Sequence, residues 1–206
     1  MSTQIVQMGY DALAPRFGEW AAQVEGDPWT RYLDDLAARL PAGAHMLDLG
    51  CGNGSKLSRL GDRGFELTGV DIPREQLRLA GDAVRAATFV HGDFAEVDFE
   101  PERFDAVTAL YSVVHVPREE HEALFRRIRS WLAPRGLFLA SLSHARSEDW
   151  TGEWLGVEMF FSGHDAETNR GLIRDAGLEL LRDELVWMRE PEAEVAFLWV
   201  LVRRPS

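Results

Sequence analysis

Short apolar runs alternate with amphipathic stretches through the middle of the chain. Most of these runs have the length of a buried strand, and a stretch of helical periodicity follows them. This alternation predicts parallel strands that are joined by crossover helices. The predicted strands are residues 45–49, 66–70, 88–90, 104–109 and 136–142, and the helices between them begin near Ser55, Arg74 and Arg118.

The segments on either side of this region have different patterns. Residues 11–24 show a weaker helical pattern that breaks near Pro15, and residues 29–40 show a clearer one. After the fifth strand, residues 144–161 are rich in aromatic side chains and irregular. Residues 165–176 again have helical periodicity and end at a glycine, which is typical of a helix C-terminus.

Two final strands, at residues 178–187 and 195–202, are separated by a short charged turn. A turn this short joins antiparallel neighbours, because parallel strands need a crossover connection. The sequence therefore predicts an α/β fold with helices on both faces of a seven-stranded, mostly parallel sheet. One antiparallel hairpin strand is expected at or near an edge of this sheet.

The first predicted strand runs directly into glycines at alternate positions. Gly50, Gly52 and Gly54 follow Asp48 within a few residues. Glycine permits positive φ and lets a ligand approach the backbone, and ligands of open α/β sheets bind beyond the carboxyl ends of the strands. Dinucleotide sites use the spacing G-x-G-x-x-G, which directs a helix N-terminus at a pyrophosphate. The spacing G-x-G-x-G after an acid favours a ligand without phosphate, and a plain glycine-rich turn is the alternative.

The segment Leu-Asp-Leu-Gly-Cys-Gly-Asn-Gly at residues 47–54 closely resembles motif I of the class I S-adenosylmethionine (SAM)-dependent methyltransferases, a Rossmann-like superfamily with many small-molecule members. Asp71 and Asp93 follow the second and third strands, where family members bind the ribose and the adenine. Residues 104–112 resemble motif IV, whose end faces the methionine part of SAM. The resemblance implies SAM as cofactor, S-adenosylhomocysteine as product, and a cofactor site made of Tyr10, Asp48, Gly50, Cys51, Gly52, Gly54, Asp71, Ile72, Asp93, Phe94 and Leu110.

Methyl transfer from a sulfonium requires a positioned nucleophile and, where needed, removal of its proton. His115 lies five residues beyond Leu110 and is the first candidate for the general base, since histidine titrates near neutrality. The alternative is a structural histidine that binds a loop carbonyl. His144, just past the fifth strand, is the second candidate, and His164 is the third. We expect no metal site, because the histidines are scattered over loops without matching carboxylate spacing.

The resemblance also indicates where an acceptor binds. Related enzymes build this pocket after the fifth strand, and the N-terminal Tyr10-Asp11-x-Leu13-Ala14 resembles the lid of small-molecule members. Core packing is the alternative for the aromatic residues. The candidate acceptor-binding residues are Tyr111, Trp150, Trp154, Met159 and Phe160. We expect one methyltransferase domain over residues 1–206, with a helical lid (1–40), a SAM-binding core (41–142), and an acceptor-pocket segment with the C-terminal strands (143–206).

The expected reaction is transfer of the SAM methyl group to an oxygen or nitrogen of a small molecule. Alternatives are a protein or RNA methyltransferase, and a SAM-binding partner or sensor without catalysis. Motif IV lacks the Pro-Pro of enzymes that methylate exocyclic amines of DNA bases, and it lacks the nucleophilic cysteine of the cytosine 5-position enzymes.

Composition and charge narrow the partners further. The net charge of −12 opposes an extended nucleic-acid contact, which depends on Lys and Arg, so no nucleic-acid partner is expected. Cys51 is the only cysteine, which excludes an internal disulfide. No apolar run has the length of a membrane span and no signal peptide is evident, so we expect no membrane association and a cytoplasmic monomer or homodimer.

Overall fold

The computed structural model describes residues 2–145 and 147–206. Its helices are α1 (Ser2–Ala21), α2 (Trp29–Ala37), α3 (Ser55–Leu60), α4 (Arg74–Ala83), α5 (His121–Trp131) and α6 (Ala166–Asp175). Its strands are β1 (His45–Leu49), β2 (Glu66–Asp71), β3 (Thr88–His91), β4 (Phe104–Leu110), β5 (Leu132–Ser143), β6 (Ser147–Trp154), β7 (Val157–Gly163), β8 (Glu179–Arg189) and β9 (Glu194–Arg203).

Seven of the strands form one sheet in the order β3-β2-β1-β4-β5-β9-β8. The pairs β1–β2, β1–β4, β2–β3 and β4–β5 are parallel. Strand β9 runs antiparallel to both β5 and β8. The predicted mostly parallel, seven-stranded sheet is therefore confirmed, and its antiparallel strand lies one position inside the edge that β8 forms.

The strand order reverses at β1. The chain proceeds outward from β1 through β2 to β3, and it then crosses back to place β4 on the other side of β1. In open α/β sheets the crevice at such a reversal, beyond the carboxyl ends of the strands, is where ligands bind. Gly50 and Tyr111 follow β1 and β4 at this point, so the topology brings the glycine loop and the end of the motif IV segment together.

Apolar side chains cover both faces of the sheet. On one face α5 and α6 pack against the strands around Trp131 and Phe138, both fully buried. On the other face α2 and α3 pack around Trp199, whose ring stacks on Tyr32 at 4.5 Å between centroids. The helix expected near Arg118 begins as a short 3-10 turn and becomes α-helical at His121.

The N-terminal segment departs from the prediction. One continuous helix begins at Ser2 and passes through Pro15, where a break was expected. Proline removes one backbone donor from a helix, and here tertiary packing outweighs that cost. Val6 and Leu13 are buried in a separate apolar cluster. Neither α1 nor any other helix within residues 2–145 and 147–206 is both long and apolar enough to cross a membrane.

Residues 144–161 were expected to be irregular, and this prediction was wrong. Strands β6 and β7 pair as an antiparallel hairpin outside the main sheet. The hairpin packs on α1 at Gly9, where an added Cβ would lie 2.7 Å from the methyl carbon of Met159. The two segments stabilise each other through this close contact, and neither carries a pattern that reveals it alone.

Candidate active site

A cavity of about 970 Å³ opens at the carboxyl ends of the central strands. The loop after β1 and the ends of β2 and β4 form its floor, while α1, the β6–β7 hairpin and the turn between β8 and β9 contribute the remaining walls. This volume lies at the upper end of the range of ligand pockets. The cavity therefore has room for a large cofactor and a second small molecule.

The glycine loop separates into a ligand-facing part and a packing part. Gly50 and Gly52 line the cavity with φ of +74° and +54°. An added Cβ at Gly50 would lie 2.4 Å from the Cβ of Ser112, so a side chain does not fit there. Gly54 does not line the cavity; a Cβ there would lie 3.1 Å from Ala80 of α4, so this glycine permits close helix packing.

Asp48 lies beneath the loop and is not among the residues that line the cavity. It is 1% exposed, and its Oδ1 accepts a hydrogen bond from the Thr108 hydroxyl at 2.7 Å. Its Oδ2 has no hydrogen-bond partner among the described residues. Burial raises the pKa of Asp48 to about 6, and the positive charge of Lys56 acts in the opposite direction. The structure thus gives Asp48 a position under the loop, one layer away from a bound ligand.

Asp71 lines the cavity at the end of β2 and holds the glycine loop in place. One carboxylate oxygen accepts from the Gly52 amide at 2.6 Å, and the other accepts from the Ile72 amide at 2.8 Å. Burial raises the pKa of Asp71 to about 6, while these two bonds and the charge of Lys56 favour the ionised form. Each oxygen keeps a lone pair for a ligand hydroxyl.

The first turn of α1 covers the end of the cavity that carries Asp93. The Thr3 hydroxyl donates to Asp93 Oδ2 at 2.7 Å, and the Ala95 amide donates to Oδ1 at 2.8 Å. Phe94 is buried beside them and lines the cavity. Sequence reasoning missed Thr3, because nothing in the N-terminal residues indicates a contact with a residue 90 positions away.

Gln76, in the first half of α4, was also missed. Its side chain is buried and lines the cavity, and its Oε1 has no hydrogen-bond partner among the described residues. This oxygen lies 4.0 Å from the position of a Cβ at Gly52. A buried acceptor of this kind is normally satisfied, so it is available to a donor on a ligand at the glycine loop.

His115 and Tyr10 form a hydrogen-bonded pair on the cavity wall. His115 Nδ1 lies 2.8 Å from the Phe160 carbonyl, which can only accept, so Nδ1 carries the proton. His115 Nε2 is then unprotonated and accepts from the Tyr10 hydroxyl at 2.9 Å. Burial lowers the pKa of His115 to about 4, and burial raises the pKa of Tyr10 above its usual range. The pair is neutral at physiological pH.

Leu110 and Tyr111 line the cavity at the end of β4. Tyr111 has a positive φ of 64°, which is strained for a bulky residue, and its amide donates to Ser141 Oγ at 2.7 Å. The Tyr111 hydroxyl donates to Asp27 Oδ1 at 2.6 Å. Burial and the Asp27 carboxylate raise the pKa of Tyr111 well above its usual range, so its phenol stays protonated.

The aromatic segment divides between the cavity and the core. Trp150 and Trp154 line the cavity, as does Phe161 of the same aromatic segment. Met159 and Phe160 are instead buried against α1, so their side chains do not reach the cavity. Phe160 contributes to the site only through the carbonyl that binds His115.

The other histidine candidates lie outside the cavity. His144 packs against Trp187 with 5.6 Å between ring centroids, and it is not among the residues that line the cavity. His164 Nε2 lies 3.0 Å from the Arg118 carbonyl, an accepting group, so it serves as a structural donor. Of the three histidines, the structure brings only His115 to the site.

Known proteins resemble both the sequence and the fold. Residues 46–136 match the family model described as a methyltransferase domain. The chain is 32% identical over 149 residues to the 27-O-demethylrifamycin SV methyltransferase of Amycolatopsis mediterranei, an alignment that covers 62% of this chain and 54% of that protein. The chain spans about half the length of the curated relatives it matches.

Two solved structures illustrate the likeness in fold. The 1,6-didemethyltoxoflavin-N1-methyltransferase of Burkholderia thailandensis, solved with S-adenosylhomocysteine, has a TM-score of 0.67 at 23% identity and covers 88% of this chain and 80% of its own. The [4+2]-cyclase SpnF has a TM-score of 0.76 at 20% identity, and the alignment covers 100% of this chain and 97% of the SpnF chain. At these identities the likeness shows the fold alone.

Proposed function

We propose that this chain, whose residues 46–136 match a methyltransferase-domain family, is a class I SAM-dependent methyltransferase that transfers the methyl group of SAM to an oxygen or nitrogen of a small-molecule acceptor and releases S-adenosylhomocysteine. One observation carries this proposal. A continuous cavity joins the glycine loop and Asp71 to the Tyr10–His115 pair, so a cofactor and an acceptor have places side by side. A cavity without the second part would favour a SAM sensor.

The residues at the β1–β4 crevice fit SAM. Gly50 lines the cavity without a side chain, so its backbone is open to the ligand, and Asp71 offers a free lone pair on each oxygen to the ribose hydroxyls. Asp93 and Phe94 would hold the adenine, although Thr3 now occupies one acceptor position of Asp93. Lys56, on the cavity wall, matches the carboxylate of the methionine part. The sulfonium site requires no metal.

When bound, SAM supplies a methyl group on a positively charged sulfur, which is a good leaving group. The chain's own residues position the acceptor, cover the cavity and, through Tyr10 and His115, accept a proton. Leu110 and Tyr111 bound the place where the acceptor approaches, since they end β4 at the crevice. Helix α1 and the β6–β7 hairpin cover part of the cavity and limit its contact with solvent.

The acceptor's proton leaves through the Tyr10–His115 pair. As the acceptor hydroxyl or amine becomes positively charged, Tyr10 Oη takes its proton and passes its own proton to His115 Nε2 at 2.9 Å. The Phe160 carbonyl accepts from Nδ1 and stabilises the protonated ring. A small-molecule acceptor, the lack of a nucleic-acid partner and the cytoplasmic location stay predictions of this proposal.

Methyl-labelled SAM tests the proposal against its rivals. The protein is incubated with labelled SAM and an extract of the cells that produce it, and the metabolite, protein and RNA fractions are then separated. We expect more label in the metabolite fraction than the extract gives alone, and most of this increase to be lost with an Asp71→Ala variant at sub-saturating SAM. Label in the protein or RNA fraction would show that the acceptor is a protein or an RNA. No label above the background in any fraction would indicate a protein that binds SAM but does not transfer its methyl group.

A further inference from the structure

The cavity continues beyond the cofactor residues into an aromatic enclosure. Phe17 and Trp20 of α1 and Trp154 of β6 line this part. The ring centroids of Trp20 and Trp154 are 5.3 Å apart, and those of Phe17 and Trp20 are 5.6 Å apart. Tyr10 connects the enclosure to the proton-accepting pair, because its ring lies 6.2 Å from that of Trp154. None of the cofactor interactions accounts for this group of rings.

A carboxylate stands beside these rings without a counter-charge. Glu190, in the turn between β8 and β9, lines the cavity and, together with Phe17, Trp20 and Trp154, also lines a smaller adjoining pocket. Its side chain has no hydrogen bond or ion pair with the residues that the structure describes. Burial raises the pKa of Glu190 above its usual range, and its charge reaches Tyr10 and Tyr111. Arg16 lines only the smaller pocket, and its guanidinium binds the Leu155 carbonyl.

The charged residues that line the cavity are predominantly acidic. Six acidic residues line it, and Lys56 is the one lysine or arginine among the described lining residues. Lys56 acts on Asp48 and Asp71, at the glycine loop. Arginine makes up all but one of the chain's 22 lysine and arginine residues, yet none lines the cavity within the described part of the chain. In the larger cavity, an anionic acceptor would therefore meet only Lys56 as a cationic side chain among the described lining residues, and Lys56 lies at the glycine loop.

We propose that the acceptor is a small organic cation, a protonated or quaternary amine, whose charged nitrogen binds among Phe17, Trp20 and Trp154 with Glu190 as its counter-charge. Aromatic enclosures attract ammonium groups through the negative faces of their rings. A charged nitrogen has no lone pair, so the methyl group goes to a second oxygen or nitrogen of the same molecule, on the Tyr10 side. This assignment rests on the proposed function, because it names the acceptor of that site.

The test uses two probes, choline and 3,3-dimethyl-1-butanol, in which a neutral tert-butyl group replaces the trimethylammonium group of choline. Binding is followed by tryptophan fluorescence, with and without saturating S-adenosylhomocysteine. We expect choline to bind about 10-fold more tightly than the isostere, and Glu190→Gln to remove most of that difference. Glu194→Gln, an exposed residue at the start of β9 that lines neither pocket, is the matched control and is expected to change nothing.

Each outcome separates the two proposals. The cation site is overturned if choline and its isostere bind equally, or if the Glu190→Gln variant binds choline as the wild type does. Either result leaves the proposal of methyl transfer unaffected. Loss of S-adenosylhomocysteine binding in Glu190→Gln also overturns it, since Glu190 would then hold the cofactor's own ammonium. If the wild-type protein binds no S-adenosylhomocysteine, the proposed function fails. The choline titration performed without S-adenosylhomocysteine then still decides whether the cation site exists.

Discussion

Replacing Asp71 with alanine is expected to weaken S-adenosylhomocysteine binding by about 1.5–3 kcal/mol, the usual loss for a charged hydrogen-bond partner. The variant loses the acceptor for the ribose, and it also loses the bond that fixes the Gly52 amide. Calorimetry measures the change directly. Asp62→Ala, an exposed aspartate before β2, is the control and is expected to bind like the wild type.

The pH dependence of binding distinguishes the carboxylate from a general loss of fold. Burial raises the pKa of Asp71 to about 6, so the ionised acceptor predominates above that pH and is lost as the pH falls through it. Wild-type affinity is therefore expected to decline below pH 6, and the Asp71→Ala variant is expected to lack the Asp71 component of that decline. Wild-type affinity in the Asp71→Ala variant would show that the ribose is held elsewhere.

Replacing His115 with alanine is expected to lower kcat by about 10²-fold, near the lower end of the range for general-base assistance. We expect an effect near the lower end because burial lowers the pKa of His115 to about 4, which makes it a weaker base than a free histidine. S-adenosylhomocysteine affinity is expected to stay nearly unchanged. The rate is measured at saturating SAM with the acceptor fraction that takes up label.

Two further variants separate proton transfer from support of the loop. His115→Asn keeps a donor near the Phe160 carbonyl, so it is expected to restore the stability of the fold without restoring kcat. Tyr10→Phe keeps the ring and removes the hydroxyl, and it is expected to lower kcat as His115→Ala does. A fully active His115→Asn variant would show that His115 only stabilises the loop and takes no part in proton transfer.

The pH–rate profile gives an independent reading of the same pair. His115 stays neutral, and able to accept a proton, down to a pH of about 4. Its contribution to kcat is therefore expected to be constant near neutrality and to fall as the pH drops through about 4. An acid limb near pH 6.5 that disappears in His115→Ala would show that the histidine is solvated during catalysis.

The central strands and the glycine loop were predictable because their signals are local. The apolar run at β1 was predicted over its exact residues, since a glycine follows it at once. The helix expected near Arg118 was predictable because Leu124, Phe125 and Ile128, which are buried in α5, repeat at helical spacing. The cavity positions of Asp71 and His115 follow from the sheet topology, which the order of the elements already implied.

The other features depend on contacts between distant segments. Helix α1 continues through Pro15 because the β6–β7 hairpin packs against it. In that contact Gly9 meets Met159, and most strands of the main sheet lie between these two residues in the sequence. The pairing of Tyr10 with His115 spans 105 positions. Glu190 belongs to a charged turn that is typical of a solvated hairpin, and only the folded chain places it beside an aromatic wall.

Calorimetry of the wild-type protein with S-adenosylhomocysteine and with NADH tests the central claim most directly. The acid before the G-x-G-x-G loop favours a nucleoside ligand without a pyrophosphate, and the carboxylate of Asp71 is placed to bind the ribose of that ligand. The account predicts low-micromolar binding of S-adenosylhomocysteine and no heat with NADH. Tight binding of NADH together with no response to S-adenosylhomocysteine would contradict it.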